Sequence, residues 1–358
     1  MSDPLDEYRR KRDGSRTPEP VPEGPTAIDG DDSLYVIQEH HASQLHWDVR
    51  FERGGVLVSW AVPLGLPVLP ETARLAVHTE DHPREYATFE GEIPAGEYGA
   101  GVMTIWDTGT YETLHWNDHM VEVVLHGARI SGRYAFVNRH DEDSPGWLVR
   151  RIDPAPDGWT GLPGFVPPAR TRPGRMAGTR TENEWAYSFD WGGLRAQARV
   201  QGGRVTLHDR DGVDVSGRYH EVKALGATLG STELLLDGEL LVFDQGRPSA
   251  AGLHRRAHAS PAQAKRLVGR FPVVYVIYDV LHHEGRSCLG LPYRQRRELL
   301  GSLGLEGPNW TVPEDYTGDG PAVLAAATEH GLPGVVRKRL DGEYRPDGDD
   351  WIAVPADG

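Results

Sequence analysis

Cysteine is all but missing: Cys288 is the only one in 358 residues. That excludes an internal disulfide and any cysteine-based zinc site, and it fits a reducing compartment. Lysine is nearly as scarce, with Lys11, Lys223, Lys265 and Lys338 the only four. No basic end precedes an apolar run near the N-terminus, and nothing approaches the roughly 18 consecutive apolar residues of a membrane span. A soluble, cytoplasmic protein with no membrane partner is expected. An excess of basic charge is absent too. The formal net charge is −15, and residues 1–153 carry 14 Lys+Arg against 27 Asp+Glu, leaving 24 and 26 for the rest. An acidic first half excludes coating of duplex nucleic acid by bulk electrostatics. It leaves room for a small cationic pocket around one phosphate.

What is there suggests two domains, each with enough apolar content to bury a core. Residues 1–33 contain "YRRKRDGSRTPEPVPEGP", where charge and proline dominate, and they read as a basic, proline-rich mobile arm outside the core. From Leu34 short β-like runs ("LYVIQEH", "LHWDVRFE", "VLVSWAVP", "VMTIWDTGTYE", "GRYAFVNR") alternate with Gly, Pro, Asn and Asp turns. This spacing predicts an antiparallel, barrel-like β domain over residues 34–153. Residues 154–180 are rich in proline and glycine and read as an extended linker. Beyond them, strand-like runs mix with helical spacing in "PYRQRRELLGSL" and "PAVLAAATEHG", which predicts an α+β domain over 181–358.

The densest chemistry lies in "EHHASQLHWDVRFE", residues 39–52. Strand alternation puts His46, Asp48 and Arg50 on one face and Trp47, Val49 and Phe51 on the other. The apolar set goes to the core, and the polar set faces a cleft or the barrel lumen. Same-face side chains start about 6.6 Å apart, so an imidazole and a carboxylate can converge on one ion without strain. A plain hydrogen-bonded His-x-Asp pair on a solvated face is the simplest alternative. Against it, "RLAVHTEDHPREY" brings Arg74, His78, Glu80, Asp81, His82 and Tyr86 to another strand end. Two metal readings follow. His-x-Asp with a distant histidine is the ligand pattern of an iron(II) oxygenase; a hard divalent ion beside arginines would polarise a phosphoryl group and activate water. Arg50, on the ligand face, favours the phosphoryl reading.

Three segments, "YVIQEHHASQLHWDVRFERGGVLVSWAVPLGLP", "RLAVHTEDHPREYATFEGEIPAGEYGAGVMTIWDTGTYE" and the leading "DEYRRKRDGSRTPEP", together resemble the 3′-phosphoesterase domain of bacterial DNA ligase D, over about residues 5–153. The resemblance implies a hydrolase using manganese or another divalent ion to remove a 3′-terminal ribonucleoside and then the 3′-phosphate from a DNA end. It implies His40, His46 and Asp48 as metal ligands. Arg50, Arg74 and His82 would hold the phosphate, with Tyr86 beside them and Glu80 in support. His41 is left as a solvated loop residue. The implied partners are DNA or RNA-tailed DNA 3′ ends, a Ku-like end-binding protein and a separate polymerase or ligase, in a cytoplasmic, nucleoid-associated setting. A non-catalytic end-joining scaffold is the alternative.

Residues 181–358 resemble the adenylyltransferase (nucleotidyltransferase) domain of ATP-dependent DNA ligases, with "WAYSFDWGGLR" at the nucleophile motif K-x-D-G-x-R. The nucleophile position holds Asp190, whose carboxylate cannot form a lysyl-AMP phosphoramidate. The motif's acid is replaced by Gly192, and only Gly193 and Arg195 remain. Pro333 stands at a glutamate position, and Ala353 and Pro355 stand at lysine positions, whereas Lys338 and Glu239 are retained. A degenerate, pseudo-ligase domain without ligase activity and without an oligonucleotide-binding domain is expected.

Overall fold

A computed structural model describes residues 3–26, 30–139 and 146–356. The chain divides into two compact units, Met1–Asp157 and Gly158–Gly358. No helix among the described residues is long and apolar enough to cross a membrane.

Period-two alternation builds the first unit from eight antiparallel strands: β1 (Leu34–His41), β2 (Leu45–Arg53), β3 (Val56–Val62), β4 (Ala73–His78), β5 (Gly101–Trp116), β6 (Met120–Gly127), β7 (Ser131–Asn138) and β8 (Trp147–Arg151). They pair in the order β1-β2-β3-β4-β8-β7-β6-β5, and β5 returns to β1, so the sheet closes into a barrel. Its interior is apolar and rich in aromatic rings. Phe51 packs edge-on against Tyr111, Phe136 and Trp60 at centroid separations of 5.0, 5.7 and 6.0 Å, with Ile37, Val49, Val123 and Val149 filling the space between. Such a core is worth more than its area alone because the rings meet in favourable edge-to-face geometry. Buried Asp107 pins the turn between β6 and β7: it accepts the N–H groups of Ala128, Arg129 and Ile130, each at 3.1 Å, and the Tyr35 hydroxyl at 2.8 Å.

With Trp47, Val49 and Phe51 inside, His46, Asp48 and Arg50 lie on the outer wall, so the polar face is a cleft and not the lumen. A second apolar cluster covers that wall: Leu57, Tyr86, Ile93 and Met103, joined by Leu5 and Tyr8 of the leading segment. The expectation that residues 1–33 stand outside the core is therefore corrected. Leu5 sits at the start of helix α1 (Asp6–Lys11) and Tyr8 one turn on, so both project from one face, and they are only 2% and 0% exposed. The prolines that suggested an arm give acceptors to the helix: Tyr8 Oη donates to the Pro20 carbonyl at 2.9 Å and Arg9 Nε to that of Pro22 at 2.9 Å.

In the second unit, a five-stranded sheet contains β9 (Thr171–Pro173), β10 (Trp185–Asp190), β11 (Gly334–Arg339) and β12 (Trp351–Pro355), in the spatial order β9-β12-β11-β10 and then Tyr316–Thr317. A seven-stranded sheet is built around Leu194–Gln201, Leu234–Asp244 and Val273–His283. Helix α2 (Gly320–Glu329), begun by the Asp319 cap and Pro321, packs Val323 and Ala327 against Tyr187, Val335, Ile352 and Val354. The other segment of helical spacing is a helix over Tyr293–Ser302. Short helices at Ala224–Leu229, Ala250–Ala257 and Pro261–Leu267 escaped the sequence reading. The segment expected as a linker is part of this fold: Val166 and Ala169 are buried and Thr171–Pro173 runs parallel to Trp351–Ala353 as the edge of the sheet.

Tyr8→Ala removes a fully buried ring from the cover of the site wall. It is expected to lower the stability of the first unit by about 3 kcal/mol, measured by urea unfolding; a change below about 0.5 kcal/mol, the usual surface value, would mean that the segment contributes no core.

Candidate metal and phosphate site

Antiparallel pairing sets the site. In the β1–β2 register His40 lies opposite His46, and Gln38 lies opposite Asp48. Their side chains share the outer face. One ligand atom from each of His40, His46 and Asp48 lies within 4.8 Å of the other two. His40 Nδ1 is 3.1 Å from His46 Nε2 and 3.6 Å from Asp48 Oδ2, and His46 Nε2 is 3.8 Å from Asp48 Oδ1.

The remaining ring nitrogens decide which tautomer is present. His40 Nε2 is 2.9 Å from the Gly99 carbonyl, and His46 Nδ1 is 3.0 Å from the Gln44 carbonyl. A carbonyl only accepts, so both of these nitrogens carry the hydrogen. The two nitrogens that face each other are then bare lone pairs, pointed at one another and at a carboxylate. Such an arrangement is repulsive until a cation or proton lies between them, and backbone carbonyls holding the far nitrogens are the usual outer support of histidine metal ligands. Gly101 fixes the loop that supplies Gly99: its φ is +148°, and a Cβ there would meet the His41 carbonyl oxygen at 2.4 Å.

Arg50 is 2% exposed and ties the triad to the wall. Nη2 donates to Asp48 Oδ2 at 3.0 Å, Nε to Gln38 at 2.8 Å and Nη1 to Ser59 at 3.0 Å. Burial pushes the Asp48 carboxyl up, but the charge of Arg50 opposes it most strongly, and the group is held well below the usual carboxylate range. The Arg50 guanidinium lies 4.8 Å from the centroid of the Tyr86 ring, whose hydroxyl donates to Glu19 at 3.0 Å.

Among the residues proposed from sequence, His40, His46, Asp48, Arg50, Glu80, His82 and Tyr86 all line one cleft of about 270 Å³. Arg74 does not. It shares a strand face with Ala76, which packs in the barrel interior, and its guanidinium donates to the carbonyls of Leu64, Gly65 and Leu66. His41 is bonded to Glu39 at 2.7 Å, away from the triad. His82 is buried, and burial, reinforced by Arg50 and Arg12, holds its imidazole well below its ordinary range. Its Nδ1–H goes to the Glu80 carbonyl at 2.8 Å, which leaves Nε2 to accept from Arg12 at 3.3 Å.

Arg12, which lines the cleft, and Glu19, which holds it, are the residues that sequence reasoning missed. Arg12 reaches across the cleft to Glu80 (2.9 Å), Glu19 (2.8 Å) and His82, with its guanidinium 3.9 Å from the centroid of Tyr8. Lys11 adds a second cation on Glu80 at 3.0 Å. The signal was the i, i+3 pair Leu5 and Tyr8, which marks a helix with a buried face in a segment otherwise dominated by charge.

In the second unit several of the motif positions named from sequence are also close together. Glu239 accepts the Gly193 N–H at 2.7 Å, and Arg195 grips Asp237 through two bonds of 2.7 and 2.5 Å. A Cβ at Gly192 would meet the Pro333 ring at 3.1 Å, so two of the altered motif positions adjoin. Lys338 is 2% exposed; its ammonium lies 4.1, 4.5 and 4.9 Å from the ring centroids of Trp351, Tyr278 and Tyr293, and burial pushes its pKa down to about 8.

The comparisons with known proteins agree with this division. Residues 38–138 match the DNA Ligase D 3′-phosphoesterase domain, and residues 175–354 match the ATP dependent DNA ligase domain. The Mycobacterium tuberculosis multifunctional non-homologous end joining DNA repair protein LigD is 41% identical over 351 residues. The chain belongs to the DNA ligase D family. It spans 44% of the length of that relative and 47% of the Pseudomonas aeruginosa multifunctional non-homologous end joining protein LigD, to which it is 34% identical, while nearly all of this chain is covered by each match, 97% and 99%. A solved mycobacterial DNA ligase D complexed with ATP and MES is similar at 30% identity and a TM-score of 0.47, over 54% of this chain and 60% of that one.

Within the ligase-like unit of this DNA ligase D chain, Glu239 provides a pH test. Burial, aided by the neighbouring charge of Asp190, raises its pKa to about 7. The folded state holds that proton more tightly than the unfolded chain, so stability falls as pH rises from its ordinary range through 7. Between pH 5 and 8 the wild type is expected to lose about 2 kcal/mol more than Glu239→Gln, read from unfolding midpoints; parallel pH profiles would contradict the burial of that charge.

Proposed function

We propose that the first unit is a divalent-metal-dependent phosphoesterase that heals DNA 3′ ends by removing terminal ribonucleosides and 3′-phosphates, in double-strand break repair. The observation that supports this most is the pair of bare imidazole nitrogens, on His40 and His46, turned with Asp48 on one point. The donor set of two imidazoles and a carboxylate suits a divalent ion of the manganese type. Bound there, the ion would polarise the phosphoryl oxygen and supply an activated water.

The chain's own residues orient the ester. Arg12 and Arg50 line the same cleft as the triad, and their guanidinium groups lie over Tyr8 and Tyr86. A fixed planar fork is suited to phosphate oxygens. Glu80 and Glu19 hold Arg12, and His82, with its N–H turned to a backbone carbonyl, receives Arg12. The phosphate grip is therefore assigned to Arg12 and Arg50, with Arg74 bracing the Leu64–Leu66 turn instead. DNA or RNA-tailed DNA 3′ ends are the proposed substrates, and a Ku-like end-binding protein and a separate polymerase or ligase are the proposed partners. The relatives' printed names, which place them in end joining, support this.

The test is a primer-template ending in one ribonucleotide or a 3′-phosphate, incubated with manganese and followed by gel. Wild type is expected to yield 3′-hydroxyl ends, and His46→Ala and Asp48→Ala to slow this by at least about a hundredfold. Unchanged ends with folded, manganese-loaded wild type would refute the activity.

The second unit is proposed to be an adenylyltransferase fold without ligase activity, retained for docking. Asp190 offers no amine, and the surviving Lys338 is enclosed by aromatic rings. Incubation with radioactive ATP and divalent metal is expected to leave the protein unlabelled, and an AMP adduct on any of the four lysines overturns this.

A further inference from the structure

The whole chain is acidic, yet residues 158–181 contain four arginines, Arg170, Arg172, Arg175 and Arg180, and no acid. This stretch is not a loose tether. Arg170 N–H donates to the Gly348 carbonyl at 2.7 Å, β9 pairs with β12, and Gly174 N–H donates to the Ala353 carbonyl at 3.0 Å. Met176 and Ala177 then pack on the cluster formed by Tyr187, Val335 and Ile352. The backbone is thus strung along the edge of the five-stranded sheet, with Arg172 on one face of it, and its arginines are held at spaced positions.

Register brings a further arginine to this face. Arg172 pairs with Ile352, and Ile352 with Arg337, so the three lie in one row across β9, β12 and β11. The Arg337 guanidinium lies 4.2 Å from the centroid of the Trp185 ring, and its buried Nε has no hydrogen-bond partner. Stacking fixes the plane of a guanidinium without consuming its N–H donors. Among the described residues, Arg172, Arg175 and Arg180 likewise have no ion pair or hydrogen-bonded side-chain partner. The charge of Arg172 also depresses the Arg337 pKa, after burial. Three of the nearby acids are engaged, Asp347 with Arg170 at 3.3 Å, Glu184 with Arg339 at 3.2 Å and Asp350 with Arg345 at 3.5 Å, and Glu343 is the acid that lines the same pocket as Arg172 and Arg337 without an ion pair among the described residues. Arginines outnumber the free acid here, like charges held side by side are costly, and an extended row of them matches a polymer of phosphates better than one small anion.

We infer that Arg172, Arg175, Arg180 and Arg337 form a strip on the second unit that binds the phosphodiester backbone of a nucleic-acid duplex without reading its sequence. The strip gives a location to the docking role proposed for that unit, and it is independent of the phosphoesterase reading.

The experiment uses the full chain, a fluorescein-labelled blunt DNA duplex with 3′-hydroxyl ends, and EDTA, so that no end can be processed and failure of the phosphoesterase reading leaves the measurement intact. Anisotropy titrations at several KCl concentrations give affinity and its salt slope. Arg172→Gln/Arg175→Gln/Arg180→Gln, all exposed and unpaired, is expected to bind at least about tenfold more weakly at low salt, with a log–log slope shallower by about 2 to 3. Adding Arg337→Gln weakens binding further. A control triple, Arg266→Gln/Arg286→Gln/Arg294→Gln, has the same net charge and is expected to bind like wild type. Wild type that does not bind duplex, a strip variant with unchanged affinity and slope, or a control that loses as much as the strip variant each overturns the proposal.

Discussion

The antiparallel register that sets His40 opposite His46 is the constraint on which the first unit depends. Because side chains alternate, the same pairing that sends Ile37, Val49 and Phe51 inward sends His40, His46, Asp48 and Arg50 outward. A slip of one residue would put Trp47 in the cleft and Asp48 among the aromatic rings, at a cost far beyond any gain from pairing. The barrel core and the site are two faces of one decision. The packing of Phe51 against Trp60, Tyr111 and Phe136 therefore also holds the geometry of the triad. Closure of β5 onto β1 adds the last support, since the loop leading into β5 supplies the Gly99 carbonyl that fixes the His40 tautomer.

The two units have kept different things. In the first, polar side chains of the cleft are held in place: carbonyls turn histidine lone pairs inward, and buried guanidiniums are held on tyrosine faces. In the second, what survives is what packing needs. Lys338 fills a box of three aromatic rings, and removing it would leave a cavity as well as a lost cation–π contact. Arg195 and Asp237 form a bonded pair completed by the Tyr344 hydroxyl at 2.7 Å. Of the positions that differ from the ligase motifs in the sequence, Asp190, Pro333, Ala353 and Pro355, Pro333 lies against Gly192 and Asp190 accepts the Gly192 N–H at 3.1 Å. Retention of Lys338 is thus explained by the fold without catalysis.

Strand parity made the ligand face legible in the sequence, because His46, Asp48 and Arg50 alternate with Trp47, Val49 and Phe51. The lone-pair geometry was not legible, because it depends on carbonyls at Gln44 and Gly99, and backbone acceptors leave no trace in side-chain identity. Arg74 shows the opposite error. It sits in a segment rich in cleft residues, but its strand turns it to the same side as Ala76, and the parity argument applied to β2 was not carried to β4. Residues 3–26 and 166–173 were misread for a shared reason. Proline and charge lower the mean hydropathy of a segment, yet two well-placed apolar residues, Leu5 and Tyr8 in one case and Val166 and Ala169 in the other, are enough to dock it when neighbouring carbonyls and strand edges take up its backbone. Such docking is a tertiary fact, and local composition argues against it.

Charge balance limits what the cleft can do on its own. Lys11, Arg12 and Arg50 face Glu19, Glu80 and Asp48, three cations against three carboxylates, each within 3.0 Å of an opposite partner. Such a set is internally neutral, and its arginines have spent much of their electrostatic attraction on those acids. A terminal phosphate entering an otherwise acidic domain would find directed N–H donors there but little net field. On the proposed reading, a divalent ion held by His40, His46 and Asp48 would add two positive charges at the one point where lone pairs already converge, and in a buried cleft that field would be weakly screened. The arginines would then orient the phosphate, and the ion would supply the net attraction. That division would account for an anion site in a chain with net charge −15. The carboxylates that neutralise Arg12 keep its guanidinium buried and in place, so that on this reading the attraction would depend on the filled metal site.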